Sequence, residues 1–176
     1  MILSDKTIKY FVEEHKIIQP FDEGNLQPCS YDCTLGDSFI YPYESDEVKI
    51  IPDGKLLLVE PYDFLLVTTN ETVKLDGNLT ARVEGKSSLG RIGLLTHITA
   101  GFIDAGFQGK ITLELCNLGS KPIALKKGSR ICQLCFQYTD YSSDNPYDDE
   151  RNHYQFQGTV QKSRYCLSED GYYIVD

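Results

Sequence analysis

No apolar run in this chain approaches the ~20 residues that a bilayer-spanning helix needs. The N-terminus lacks a basic segment followed by an apolar stretch, so no secretory signal is expected; the chain is read as cytoplasmic, with no membrane partner. Basic residues are the minority. The 17 Lys and Arg stand against 26 Asp and Glu, a formal net charge of −9. A large nucleic-acid footprint needs a basic stripe to neutralise phosphates, so no nucleic-acid partner is expected. A few local cations can still hold a small phosphorylated ligand. Neither an internal repeat nor a flexible linker divides the 176 residues, which fit a single domain over 1–176. A chain of that length buries roughly 70% of its unfolded surface and needs no disulfide staples.

The composition, 41% hydrophobic and 24% charged, is that of a folded globular protein rather than a disordered one. Fourteen Gly and 7 Pro, with 12 Tyr and 8 Phe, favour strands and turns over a helical bundle. Ser4 is a helix N-cap candidate, and Ile8, Phe11 and Val12 form one apolar face, which predicts a helix at about 5–15 that Pro20 would end at the latest. Beyond it, short β-rich runs follow: 38–41, 48–51, 55–59, 64–68, 79–83, 93–96, 110–115, 123–125 and 130–138. Asp53-Gly54, Asp76-Gly77 and Lys127-Gly128 mark turns between them. The pattern predicts an all-β sandwich or distorted barrel behind one short N-terminal helix. Residues 140–151 read as an acidic loop, and 154–176 as a C-terminal arm.

Six cysteines occur, at positions 29, 33, 116, 132, 135 and 166. Cys132 and Cys135 form a CxxC, but inside an apolar strand-like run without knuckle residues. They are read as reduced, buried thiols rather than zinc ligands. Gly85-Lys86-Ser87-Ser88-Leu89-Gly90-Arg91 either gathers backbone N–H groups, hydroxyls and cations around one anion or is a solvated turn between strands, and spacing alone does not decide between them. It is not a P-loop, because position 80 is Thr80 and the required first Gly is missing. Asp104 lies in a Gly-rich hairpin, where it either caps its own turn or accepts from a ligand hydroxyl. Glu114 lies in Thr112-Leu113-Glu114-Leu115. Strand alternation puts it on one face with Thr112 and Cys116 and turns Leu113 and Leu115 inward. A carboxylate in a pocket suits general acid–base work; on a solvated strand it does nothing. His97 is read as structural, since no second ligand lies near it in sequence. The His-x-Glu with paired Cys of zinc deaminases is absent.

Taken in order, these segments resemble the dCTP deaminases of the dUTPase-like superfamily. The resemblance runs from Met1-Ile2-Leu3-Ser4-Asp5 through Gln27-Pro28-Cys29-Ser30-Tyr31-Asp32 and Leu35-Gly36. It is strongest over 86–117. It continues through Gly128-Ser129-Arg130-Ile131-Cys132-Gln133-Leu134 to Tyr147, Tyr154, Gln157-Gly158 and Ser163-Arg164. It implies a homotrimer of distorted β-barrel (β-clip) subunits with active sites between them, and deamination without zinc. On the matching positions, Glu114 is the general base, Ser87 and the Ala100 carbonyl orient the water, and Arg91 pairs with Glu114. Lys86, Ser87 and Ser88 are implied triphosphate ligands, with Leu89, Gly90 and Arg91 in the same nucleotide-binding run. Asp104 meets the deoxyribose 3′-hydroxyl, and Thr112, Leu113, Gln133, Tyr147 and Gln157 are further nucleotide contacts. Magnesium arrives on the triphosphate. Gly101-Phe102 resembles members that also cleave the triphosphate to dUMP, with Asp104 activating a second water.

Three positions depart from the family pattern, one of them Ala105 in place of a frequent Pro, which bears only on turn rigidity. Lys86 stands where Arg is common, and His153 where Lys is usual, which would make a phosphate contact there depend on pH. Three functions are carried forward: a dCTP deaminase releasing dUMP or dUTP, a plain dUTPase, and a non-catalytic nucleotide-binding regulatory trimer. Glu114, Ser87 and Arg91 together favour the first. Feedback inhibition by dTTP is an expectation of the resemblance alone.

Overall fold

A computed structural model of the chain describes residues 1–147 and 152–164. Its elements are α1 (Asp5–His15), β1 (Ile18–Gln19), β2 (Leu26–Gln27), β3 (Ser30–Ile40), β4 (Lys49–Ile50), β5 (Leu56–Val59), β6 (Phe64–Lys74), β7 (Leu79–Gly85), α2 (Ser87–Gly90), β8 (Leu94–Leu95), β9 (Phe102–Ile103), β10 (Gln108–Asn117), β11 (Ile123–Lys126) and β12 (Arg130–Tyr138). The all-β expectation holds, with one short helix in front. That helix buries Ile8, Phe11 and Val12 on its inner face. It stops before Pro20 is reached: Lys16 turns left-handed at φ 57°, and its N–H donates to the Val12 carbonyl.

The main sheet is antiparallel, in the order β8-β10-β6-β3-β12-β7-β9, and it curls into a half-barrel. Strands β5 and β11 form a separate pair. The turns at Gly54 and Gly128 take φ of 73° and 79°, which glycine adopts without strain. In β10 burial alternates residue by residue, so Ile111, Leu113 and Leu115 enter the core while Thr112, Glu114 and Cys116 face outward. Tyr31, Phe136, Leu35, Leu65 and Leu79 are among the fully buried side chains of the same core. Each adds roughly 1.5–3 kcal/mol by leaving water.

Two strands run longer than the apolar pattern suggested. β3 begins at Ser30 rather than at 38, and β6 continues to Lys74. Their extra lengths carry polar residues that satisfy one another inside. Buried Glu71 accepts from the Thr34 N–H at 2.8 Å and the Thr34 hydroxyl at 2.7 Å. The Ser38 and Thr68 hydroxyls lie 2.9 Å apart.

The cysteine reading holds only in part. Cys33 and Cys132 are fully buried and face each other across β3 and β12. Cys29 is exposed, and Cys116 and Cys135 are half-buried, because each sits where its strand or turn faces outward. Cys166 lies outside the described residues.

Candidate active site

The outward face of β10, residues 100–104 and residues 154–163 border a cleft of about 790 Å³. Glu114, Thr112, Ala100, Phe102, Asp104, Tyr147 and Gln157 all line it. Strand alternation is what delivers the carboxylate. With Leu113 and Leu115 locked into the core, Glu114 must point into the cleft, where its side chain is 30% exposed. Its Oε2 accepts from the Ile98 N–H at 3.2 Å and lies 3.7 Å from His97 Nδ1. A carboxylate with spare acceptor capacity in a cleft of this kind can take a proton from water.

His97 is the neighbour that sequence reasoning assigned to structure alone. The residue that seats it is Gly101. A Cβ there would lie 2.5 Å from His97 Nε2 and 2.8 Å from the Val83 carbonyl oxygen. Only a glycine lets this backbone approach the ring while its own carbonyl accepts from the Val83 N–H at 2.7 Å. Phe102 is half exposed over the cleft, with the Arg82 guanidinium 5.3 Å from its ring centre. Asp104 does not cap its own turn with its side chain. Its carbonyl accepts from the Phe107 N–H, and its carboxylate is exposed, with no partner among the described residues.

The second group of implied ligands does not line this cleft. Ser87, Ser88, Leu89 and Gly90 form α2, with Lys86 and Arg91 at its ends. The side chains of Ser87, Ser88 and Arg91 are exposed and pair with nothing among the described residues. The expected Arg91–Glu114 contact is therefore not made within the chain; Glu114 meets Ile98 and His97 instead. Lys86 is also engaged: its Nζ lies 2.7 Å from Oδ2 of Asp32, a side chain only 2% exposed. Arg130 Nε lies 3.8 Å from the same oxygen, and Asp32 Oδ1 is buried with no partner among the described residues. Gln133 is the residue across from Asp32 on β12, half-buried and outside the cleft lining. The Leu113 side chain is 1% exposed, within the core, so any ligand contact it makes comes from its backbone.

The segment before residue 164 packs on the edge of β10. The Phe156 N–H donates to the Gln108 carbonyl, and the Lys110 N–H to the Gln157 carbonyl. Gln157 Nε2 also donates to the Lys110 carbonyl, at 2.5 Å. Tyr147 packs edge-on against Phe107, and its hydroxyl accepts from the Tyr154 N–H at 3.1 Å. The rest of the expected arm, residues 165–176, lies outside the described residues. Among the described residues no group of three or more His, Cys, Asp and Glu side chains is placed to hold a metal ion, and no helix is long and apolar enough to cross a membrane.

The profile of a family described as dCTP deaminase-like matches residues 2–139. A protein of Methanobrevibacter smithii named "dCTP deaminase, dUMP-forming" is 44% identical over 164 residues, 83% of this chain and 84% of its own. One of Dictyoglomus turgidum with the same name is 42% identical over 193 residues, 97% of this chain and 100% of its own. Among solved structures, a 2′-deoxycytidine 5′-triphosphate deaminase from Agrobacterium tumefaciens superposes with a TM-score of 0.68 at 22% identity, over 78% of this chain and 48% of its own. The chain thus spans about half the length of that protein, and the likeness speaks for the fold.

Proposed function

Since the chain belongs to the dCTP deaminase-like family, we propose that it hydrolyses dCTP in two steps, releasing ammonia and then pyrophosphate to leave dUMP. The observation that carries the reading is Glu114, set by β10 into a cleft shared with Ala100 and Asp104. Water adds to the amino-bearing ring carbon as Glu114 takes its proton and returns it to the ring nitrogen. The tetrahedral intermediate expels ammonia, leaving the uracil carbonyl. Asp104 binds the 3′-hydroxyl and takes the proton of a second water that attacks the α-phosphate, so pyrophosphate leaves. Two supports favour dUMP over dUTP: the Gly101-Phe102 pair beside Asp104, and the dUMP-forming names of the relatives at 42–44% identity. Magnesium is part of the substrate, carried by its phosphates.

The working enzyme is a cytoplasmic homotrimer in this proposal, with each site shared between two copies. The division of the ligands supports this. Glu114, Asp104, Ala100, Thr112, Tyr147 and Gln157 lie in one cleft, whereas Lys86, Ser87, Ser88, Arg91 and Gln133 lie elsewhere on the same chain. Ile92, Ile98, Phe102 and Leu118 are exposed on the segments that border both groups, as an intersubunit contact would require. The neighbour's Ser87 then orients the water with the Ala100 carbonyl, and its Arg91 reaches Glu114.

The test is incubation with dCTP and magnesium, assaying ammonia and separating the nucleotides by anion exchange. Ammonia with dUMP is expected. Glu114→Gln should lower ammonia release by about 10²–10⁴-fold, the scale of general acid–base catalysis. Ammonia with dUTP would leave a one-step deaminase. Cleavage of added dUTP without ammonia from dCTP would make the protein a dUTPase.

A further inference from the structure

Among the described residues, three charged side chains line the Glu114 cleft: Asp104, Glu114 and Lys162. Two carboxylates alone would repel a polyphosphate, in a chain that already carries a net charge of −9. Lys162 is the cleft's one cation among the described residues, and its position is fixed. Two residues earlier, Val160 is buried with Ile40 and Leu66, and Phe64 packs against the same cluster. The Val160 N–H also donates to the buried Ser38 hydroxyl at 3.3 Å. This anchor holds the chain beside the cleft, whose lining includes Lys162. The Lys162 ammonium meets Asp46 Oδ1 at 2.5 Å, but the Asp46 side chain is 90% exposed whereas that of Lys162 is 32% exposed. An ion pair whose acid is solvated contributes little and exchanges readily.

We propose that Lys162 is a nucleotide-binding residue that trades Asp46 for the polyphosphate of a nucleotide seated in the Glu114 cleft. The proposal rests on the dCTP reading above and extends it to a residue that reading does not use. An ammonium with three donors can hold a phosphate oxygen as a point charge and needs no planar fork. Asp46 acts as a competitor, keeping the lysine ordered when the cleft is empty. Because the contact is made equally to substrate and transition state, it bears on KM rather than kcat.

The test is steady-state deamination of dCTP by the full-length protein carrying Lys162→Met, Lys162→Arg or Asp46→Asn. Lys162→Met is expected to raise KM for dCTP about tenfold, the scale of one charge-assisted hydrogen bond, with kcat within about twofold. Lys162→Arg should keep most of the affinity. Asp46→Asn should leave KM unchanged or lower it, since it frees the lysine. Deoxycytidine, which has no phosphate, should bind wild type and Lys162→Met alike. Equal rises in KM for Lys162→Met and Asp46→Asn would overturn the proposal by reducing the pair to a structural latch, and so would an unchanged KM in Lys162→Met. A wild-type protein that releases no ammonia from dCTP would instead refute the underlying reading, so the two failures are distinct.

Discussion

In the proposed reaction Glu114 is the base, and its place in the cleft follows from where its neighbours are locked. Leu113 and Leu115 are held in the core, and His97 and the Ile98 N–H meet its carboxylate from the facing loop. Gly101 is the pivot of that loop. Gly101→Ala would press a methyl against His97 and the Val83 carbonyl, so about 1–3 kcal/mol of stability should be lost. Any displacement of the loop should also lower kcat, by up to roughly a hundredfold for a shift of ~1 Å. Thermal unfolding and ammonia release measured on the same variant check both. Cysteine chemistry should divide by site. Hydrogen bonding to Cys132 and burial hold the Cys33 thiol well above its ordinary pKa, so it stays protonated at neutral pH. Native protein treated with iodoacetamide should be alkylated at Cys29, and at Cys33 only once unfolded; mass spectrometry reads the difference.

At the scale of the element, strands with clean apolar alternation were legible in the sequence and strands with a polar interior were not. Leu113-Glu114-Leu115 announced both its inward and its outward residues. Residues 30–37 and 69–74 did not read as strand, because Asp32, Thr34 and Glu71 break the period that identifies one. Their justification is tertiary: Glu71 and Thr34 meet only after β6 and β3 pair. Likewise nothing local told that His97 would reach Glu114, since the contact depends on a loop folding back over a strand. Glu71 has a measurable consequence. Burial raises its pKa above 4.5, against the lowering effect of the Thr34 hydrogen bonds. A carboxyl with a raised native pKa binds more protons folded than unfolded, so its contribution to stability falls as pH rises from about 4.5 through the native value. Glu71→Gln removes that dependence. The stability of wild type relative to Glu71→Gln should therefore increase as pH is lowered from 7 towards 5. Denaturant unfolding of both proteins across that range tests the sign.

For the whole molecule, the implied ligands fall into two sets that one chain does not bring together. The sequence resemblance placed them on one substrate; the fold puts Glu114 and Asp104 in the cleft and leaves Ser87 and Arg91 exposed on and beside α2. Sequence order could not reveal this, because residues 87 and 100 are near in the chain, yet Ala100 lines the cleft and Ser87 does not. The proposed cyclic trimer with head-to-tail contacts would reconcile the two, each copy lending its α2 end to a neighbour's cleft. Coexpression of a Glu114→Gln chain with an Arg91→Ala chain, each inactive alone, probes this arrangement directly. If base and arginine come from different copies, random mixing leaves about one site in four with both intact in a closed ring, and ammonia release from dCTP should return to about a quarter of wild type. If the mixed protein assembles and stays as inactive as its parents, the shared-site account is wrong.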